Sequence, residues 1–252
     1  MNRARGGGYG APRRNIRNHL QRVRQLSPLI MMLLVEIFAQ VERLPFKPKV
    51  TIALLATNIG AHLFGDVDLQ QHCLCADRII RHFARHQSLP LGRFIYSGFL
   101  HADDKHLYYN MTSLCWKGIQ LEQSIGSKAF FTLCAFSLVV SHFVAVVMAC
   151  ALRQAVGYDE PYYACAVGFS AVLFSLKYVL NCRSPELTNI HGIQVPLKHA
   201  CWLELVLISL ITPNASFVGH LAGIVTGVLW QHSGEFWEMI HNSNSRPGGG
   251  RR

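Results

Sequence analysis

Apolar residues are concentrated in long runs along this chain, and polar residues fill the segments between them. From residue 50 onwards there are six such runs, at 50–64, 105–124, 130–152, 167–180, 199–212 and 217–231. A helix crosses a bilayer with about 20 mainly apolar residues, or with fewer when neighbouring helices bury part of it. The pattern therefore predicts an all-α polytopic membrane protein with a six-helix domain at residues 49–232.

The polar segments divide the rest of the chain. A long first loop, 65–100, contains "DRIIRHFARH", in which the spacing of apolar and basic residues predicts an amphipathic helix. Residues 29–48 form a short apolar segment that includes Glu36, and this predicts an interfacial helix or the start of a spanning one. The polar ends, 1–28 and 233–252, are expected to be a disordered and a flexible tail.

Composition agrees with a membrane protein. Half of the residues are hydrophobic and 15% are charged, whereas a globular chain has about 25% charged residues. The net charge of +10 does not indicate nucleic-acid binding, because the basic residues gather at the ends and in loops. Residues 1–28 contain seven arginines and no acid, which suits contact with anionic lipid or, alternatively, an organelle transit peptide.

The same basic residues predict an orientation. Because Lys and Arg near the spans stay in the cytosol, both termini are expected there, and Ser170 is expected near the non-cytosolic side. Cys73 and Cys75 lie in the polar first loop, where an oxidising compartment would allow disulfides with a partner that the sequence does not identify. Five further cysteines in or beside apolar runs are expected to behave as small hydrophobic residues: Cys115, Cys134, Cys150, Cys165 and Cys201.

Ionisable and hydroxyl groups inside apolar runs mark function or paired contacts, because they cost free energy in lipid. Three stretches contain them: "HADDKHLYYN", "GFSAVLF" and "GHLAG", in the second, fourth and sixth runs. His106 and Asn110 are four residues apart and share one helical face. His220 lies in a run of glycines spaced by four, a pattern that lets helices approach closely: Gly219, Gly223 and Gly227.

These residues suggest acyl-transfer chemistry. Ser170 could act as a nucleophile if His220 lies close enough to take its proton, and His106 and Asn110 could donate to the developing oxyanion. Other interpretations remain open. Ser170 could bond a carbonyl one turn back. His101, His106 and His220 could bind a metal, although no carboxylate is placed to complete that site. Glu204, inside the fifth run, is either functional or paired.

Taken together, the motifs resemble the rhomboid family of intramembrane serine proteases from about residue 50 to 231. "HADDKHLYYN" resembles its H-x4-H-x3-N pattern, "GFSAVLF" its G-x-S motif, and "GHLAGIVTG" its histidine-glycine motif. "GRFIYSGFLH" is similar to the segment that ends the family's first loop, and "LEQSIGS" to its E-x-x-x-G-S turn. Several phrases are similar to the eukaryotic subgroup that includes an endoplasmic reticulum rhomboid.

The resemblance implies a rhomboid-like bundle with a catalytic pair, Ser170 and His220. It implies that His106 and Asn110 form the oxyanion site, while supporting positions are His101, Gly168, Phe174 and Gly223. Three residues depart from the family pattern. Ala171 replaces a glycine after the serine, Gly92 replaces a tryptophan before Arg93, and Phe174 stands where many members have a tyrosine.

The function that this resemblance implies is a cofactor-free protease in the bilayer that cleaves membrane segments of other proteins, with small residues before the cut. The endoplasmic reticulum is the expected location, and a mitochondrial or other organelle membrane is the alternative. A rival interpretation is a non-catalytic membrane protein that binds or escorts transmembrane clients. A transporter is a third, but the sequence has no repeat of broken helices.

Overall fold

The computed structural model describes residues 26–65, 67–184, 186–190, 193–212 and 215–244. Within these residues the chain forms α-helices, one short 3-10 turn and one small β-hairpin. The helices are α1 Pro28–Glu42, α2 Lys49–Phe64, α3 Leu69–His72, α4 Ala76–His86, α5 Leu91–Phe99, α6 Asp104–Ile125, α7 Ser127–Val156, α8 Glu160–Tyr163, α9 Ser170–Asn181, α10 Ala200–Ile211 and α11 Phe217–Asn244. Residues 1–25 of the predicted N-terminal tail and 245–252 of the predicted C-terminal tail lie outside the described residues.

The six predicted runs correspond to α2, α6, α7, α9, α10 and α11, so the predicted helical bundle is confirmed. Among the described residues, α7 is the helix long and apolar enough to cross a membrane by itself, and α2 is apolar but shorter. Helix α7 extends beyond both ends of its predicted range and ends where Gly157 adopts a left-handed conformation with φ of +68°. The other helices are short or less apolar, so they depend on their neighbours.

The last helix is longer than predicted. It begins at Phe217 as expected but continues to Asn244, whereas the sequence predicted an end at Gln231 and a flexible tail from residue 233. The segment after Gln231 includes the good helix formers Glu235, Glu238 and Met239, Gly234 is its one glycine before Asn244, and the next proline is Pro247. Nothing in this segment therefore stops the helix where the apolar run ends.

Helix α6 is the centre of the bundle and packs against α1, α2, α7 and α9. It starts at a capping residue, Asp103, whose carboxylate accepts a hydrogen bond from the backbone N–H of His106 at 2.7 Å. Leu107, Met111 and Leu114 are fully buried on its core face. Because His106 and Asn110 belong to the same helix, this packing fixes the position of both side chains.

Helix α1 lies lengthwise along α6, parallel to it. The Tyr108 hydroxyl donates to Glu36 at 3.2 Å, and the Cys115 thiol donates to Gln40 at 3.3 Å. Its outward face is apolar, since Val35 and Phe38 are each 66% exposed. Helix α1 therefore packs along the side of α6; whether it spans or lies at the interface stays a prediction.

Helix α2 runs antiparallel to α6. The backbone N–H groups of Val50 and Thr51 donate to Glu122 near the end of α6, at 3.0 and 2.8 Å. At the other end of α2, His62 lies 2.7 Å from Asp104 at the start of α6. Helix α1 is parallel to α6, so its first residue, Pro28, lies at the end of the bundle where α6 begins.

The first loop folds into three short helices, α3, α4 and α5, which confirms the amphipathic helix predicted there. A disulfide joins Cys73 to Cys165, with the two Cα atoms 5.3 Å apart. Next to it, Leu74 and Ala166 exchange two backbone hydrogen bonds of 2.9 Å. The expectation that Cys165 is only a small hydrophobic residue is wrong, because the loop folds back onto the segment before α9; Cys75 is buried and reduced.

A two-stranded antiparallel hairpin connects α9 to α10. Its strands are β1 Leu187–Ile190 and β2 Ile193–Pro196, with Leu187 opposite Pro196 and Thr188 opposite Val195. The all-α prediction did not include this hairpin. A 3-10 turn, Leu197–His199, follows the hairpin and leads directly into α10.

Candidate functional site

A sharp turn places Ser170 at the first position of α9. Gly168 has a φ of +115°, a backbone conformation that residues other than glycine rarely adopt. Its N–H donates to the Ser97 carbonyl at 2.9 Å. A Cβ at residue 168 would lie 2.7 Å from the ring of His106. Glycine is therefore required here both for the turn and for the close approach of α6. Ser170 itself is half-buried.

The glycines of α11 let it lie directly against α9. A Cβ at Gly223 would be 2.2 Å from the Ala171 carbonyl oxygen, and one at Gly227 would be 2.9 Å from the Ser175 carbonyl oxygen. The two backbones are thus in contact, as the small-xxx-small spacing predicts. This contact carries His220, one turn before Gly223, to the start of α9.

The side chains of Ser170 and His220 are within hydrogen-bonding distance. The Ser170 Oγ lies 3.0 Å from His220 Nε2. The ring of Phe174, one turn beyond Ser170, stacks on the imidazole with centroids 4.6 Å apart and planes inclined by 28°. The aromatic face at this position therefore survives without the tyrosine hydroxyl that many rhomboids have.

No carboxylate orients His220 among the described residues. Its Nδ1 is buried and has no hydrogen-bond partner there. For Nε2 to accept the serine proton, the neutral ring must carry its own proton on Nδ1. Stacking on Phe174 and packing between α9 and α11 hold the ring instead. The arrangement is a serine-histidine pair rather than a triad.

Asn110 and His106 lie beside the turn that precedes Ser170. The Asn110 amide nitrogen is buried and has no hydrogen-bond partner in the described part of the chain. Both side chains come close to Gly168: a Cβ added to this glycine would lie 3.4 Å from the Asn110 nitrogen and 2.7 Å from His106 Nε2. Buried donors are normally hydrogen-bonded, so an unpartnered amide next to a half-buried serine calls for an acceptor. An oxyanion formed at Ser170 would supply one.

His101 is buried behind His106. It is 4% exposed, neither ring nitrogen has a hydrogen-bond partner among the described residues, and its ring meets the His106 ring edge-on at 5.1 Å. Burial, with a smaller contribution from His106, lowers the pKa of His101 to about 3. It is therefore neutral at physiological pH and packs against His106 without repelling it electrostatically.

The geometry bears on two interpretations left open for the other polar residues, a metal site and a paired Glu204. Within the described residues no group of three or more potential metal ligands is close enough to hold an ion, and this includes the three histidines. Glu204 is paired, since it accepts a hydrogen bond from Lys177 and lies 3.9 Å from Lys117 Nζ. Lys117 also donates to the Ser113 hydroxyl at 2.6 Å.

Sequence reasoning missed the part of the first loop that supports the site. The Ser97 carbonyl fixes Gly168, and the Leu74–Ala166 bridge with the adjacent disulfide fixes the segment just before it. Arg93, whose neighbour Gly92 replaces the family's tryptophan, donates to the Cys73 carbonyl at 3.4 Å. These are mostly backbone contacts, so side-chain patterns give no signal for them.

Comparisons with known proteins agree with the motifs. A family profile described as the Rhomboid domain matches residues 90–233. The chain is 38% identical over 211 residues to "Rhomboid-like protein 14, mitochondrial" of Arabidopsis thaliana, and the matched segment covers 80% of this chain and 61% of the relative. It is 42% identical over 187 residues to human "Rhomboid-related protein 4", covering 73% of this chain and 56% of the relative. The chain thus spans little more than half the length of these relatives.

Proposed function

Because this chain belongs to the rhomboid family of helical membrane proteins, we propose that it is an intramembrane serine protease in which Ser170 and His220 form the catalytic pair. The observation that carries the proposal is the distance of 3.0 Å between Ser170 Oγ and His220 Nε2 at the half-buried start of α9. Its substrates are membrane segments of other proteins, cut in or just inside the bilayer.

The reaction begins with Ser170. Its hydroxyl donates to His220 Nε2, which takes the proton as the oxygen attacks the carbonyl carbon of the substrate. The charge that develops on the carbonyl oxygen is stabilised by the Asn110 amide and by His106. His220 then protonates the leaving amine, and the resulting ester at Ser170 is hydrolysed by water that enters at the same end of the bundle.

The substrate must expose a peptide bond before this can happen. A helix in lipid satisfies its own backbone hydrogen bonds, and lipid offers no replacement. Segments with Gly, Pro or other helix-weakening residues near the site would unwind most readily. Small residues before the cut are expected from the family resemblance.

The proposal has a direct chemical test, because a fluorophosphonate reacts with activated serines. We expect it to label the purified, folded chain at Ser170, while Ser170→Ala and His220→Ala remain unlabelled. Ser209→Ala is the control, since its hydroxyl only bonds the Leu205 carbonyl at 2.7 Å, outside the site. Peptide mass spectrometry identifies the labelled residue. A folded chain that resists the probe would favour the rival function, a non-catalytic binder of transmembrane clients.

For the location, we propose an organelle membrane, most simply the endoplasmic reticulum, with the site facing the non-cytosolic side. Basic residues lie at both ends of the bundle, so the orientation is supported instead by the disulfide between Cys73 and Cys165, which lies at the site end. The C-terminal end of α11 lies at the opposite end. Helix α1 begins with Pro28 at the site end, whereas the N-terminal residues 1–25, which are expected in the cytosol, lie outside the described residues. One relative's name contains the word mitochondrial, which keeps that organelle as the alternative.

The disulfide tests this placement, because disulfides persist in oxidising compartments and are rare in the cytosol. The free thiols are alkylated in intact cells, and the protein is then digested under non-reducing conditions. We expect Cys73 and Cys165 to escape alkylation and to be recovered as one disulfide-linked peptide pair. Cys150 is the control, since it forms no disulfide and should be alkylated when the protein is denatured in the presence of the alkylating reagent. Alkylated Cys73 and Cys165 would contradict the non-cytosolic orientation.

A further inference from the structure

One side of helix α4 in the first loop is strongly basic and lines a cavity. The cavity has a volume of about 300 Å³, and its lining comes from α4 and from the start of α5: Asp77, Arg78, Arg81, His82, Arg85, His86 and Arg93. Arg78, Arg81 and Arg85 are three or four residues apart, so they project from one face of the helix. Arg93 adds a fourth guanidinium from the neighbouring helix.

Most of this positive charge is not neutralised. Arg81 forms a salt bridge with Asp77, the single carboxylate in the lining. Arg78 donates only to neutral groups, the Gln70 side-chain oxygen at 3.4 Å and the Cys73 sulfur. Arg93 donates to a backbone carbonyl. Arg85 has no hydrogen bond or ion pair within the described residues. Three guanidinium groups therefore face one cavity without an acidic partner, which suits an anion with several acceptor oxygens.

Exposed apolar side chains elsewhere on α4 and α5 indicate the kind of anion. On the opposite side of α4, Ile80 is 42% exposed and Phe83 is 50% exposed. On α5, Leu91 and Ile95 are 61% and 45% exposed. A helix with one basic and one exposed apolar face lies in a membrane interface, with its basic side among anionic headgroups. A free acidic peptide would match the charge but would leave these apolar side chains uncovered.

We propose that this cavity binds the phosphate headgroup of an anionic lipid in the leaflet at the Ser170 end of the bundle, while Phe83 and Ile80, on the opposite side of α4, lie in the acyl region of that leaflet. Arg78, Arg85 and Arg93 donate to the phosphate oxygens. Arg93 also lies one turn before Ser97, whose carbonyl accepts the Gly168 N–H, so the lipid would bind the same helix that supports the turn before Ser170.

The test is thermal unfolding of the full chain, purified in a neutral detergent, which does not depend on protease activity. Dioctanoyl phosphatidylglycerol should raise the Tm by about 3 °C or more at saturation, because a ligand that binds only the folded state stabilises it. Dioctanoyl phosphatidylcholine should change the Tm by less than a third of that. Inorganic phosphate and a tetraglutamate peptide, at the same concentration, should have no larger effect than phosphatidylcholine.

Two charge-matched variants separate the cavity from general electrostatic attraction. Arg78→Gln/Arg85→Gln should lose the response to phosphatidylglycerol. Lys49→Gln/Lys198→Gln should keep it, because it removes the same charge from exposed positions at the opposite end. If the double arginine variant does not fold, Arg85→Gln alone suffices, since this side chain is exposed. Equal responses to the two lipids, a full response in the arginine variants, or an equal response to phosphate or to the peptide would each overturn the proposal.

Discussion

Replacing Ser170 with alanine is expected to lower the rate of cleavage of a single-span membrane substrate by at least about 10³-fold, to the background level. No other hydroxyl among the described residues hydrogen-bonds His220, so the proton acceptor would have no nucleophile to activate. His220→Ala should lower the rate to the same level, because serine is a poor nucleophile without a base. The double variant should be no slower than either single one, since the two groups act as a unit.

The measurement is the initial rate of cleavage in detergent or in proteoliposomes, with thermal unfolding as a check on folding. Ser209→Ala, outside the site, should cleave like the unsubstituted chain. Asn110→Ala provides a graded comparison, because loss of one oxyanion donor lowers turnover by about 10² to 10³ and leaves the pair intact. Cleavage by Ser170→Ala at the original rate would refute the assignment of the nucleophile. A normal rate for Asn110→Ala would remove Asn110 from the oxyanion site.

Much of the bundle could be predicted because lipid imposes a simple pattern on the sequence. The apolar runs located six helices to within a few residues, except where α11 continues past its apolar part. The spacing of His106 and Asn110 predicted a shared face, and the glycines before and after Gly223 predicted a close helix contact. Each of these features is local, and helical geometry converts it directly into a position on a face.

Long-range pairing was not predictable in the same way. The partner of Cys73 lies 92 residues away, and several cysteines were possible partners. The support of Gly168 by the Ser97 carbonyl is a backbone contact, which no side-chain pattern encodes. The hairpin gives a weak local signal, since its strands contain Thr188, Val195 and two isoleucines around a two-residue connection with a glycine. The surrounding apolar runs concealed this signal.

The pair of lysines on Glu204 shows why a membrane helix can keep a carboxylate for structural reasons. Lys117 belongs to α6, Lys177 to α9 and Glu204 to α10, so one acidic side chain connects three helices. Lys117 is 4% exposed, and a buried charge is tolerated only when it has a partner and further hydrogen bonds. Glu204 supplies the opposite charge and the Ser113 hydroxyl supplies an additional acceptor. This network lies two turns along α9 from Ser170 and holds the helix that presents it.

The contact between α9 and α11 predicts a second large effect, for Gly223→Ala. The new Cβ would lie 2.2 Å from the Ala171 carbonyl oxygen and 3.0 Å from the Phe174 Cβ, both on α9. The helices would have to separate by about 1 Å or more, and a displacement of that size can lower catalysis by about 10². His220 and Ser170 lie on either side of this contact, so their hydrogen bond would lengthen. Overpacking should also lower the free energy of unfolding by about 1–3 kcal/mol.

Gly60→Ala is the matched control for Gly223→Ala, because Gly60 is also inside a helix but a Cβ there would meet nothing within 4 Å. Alanine is favoured over glycine in a helix by about 1 kcal/mol, so Gly60→Ala should keep its activity and unfold at an equal or higher temperature. Cleavage rates and thermal unfolding of the two variants distinguish a specific helix contact from a general effect of losing glycine. Wild-type activity in Gly223→Ala would show that the pair does not depend on backbone contact between α9 and α11. In that case another contact would have to hold Ser170 and His220 at their distance of 3.0 Å.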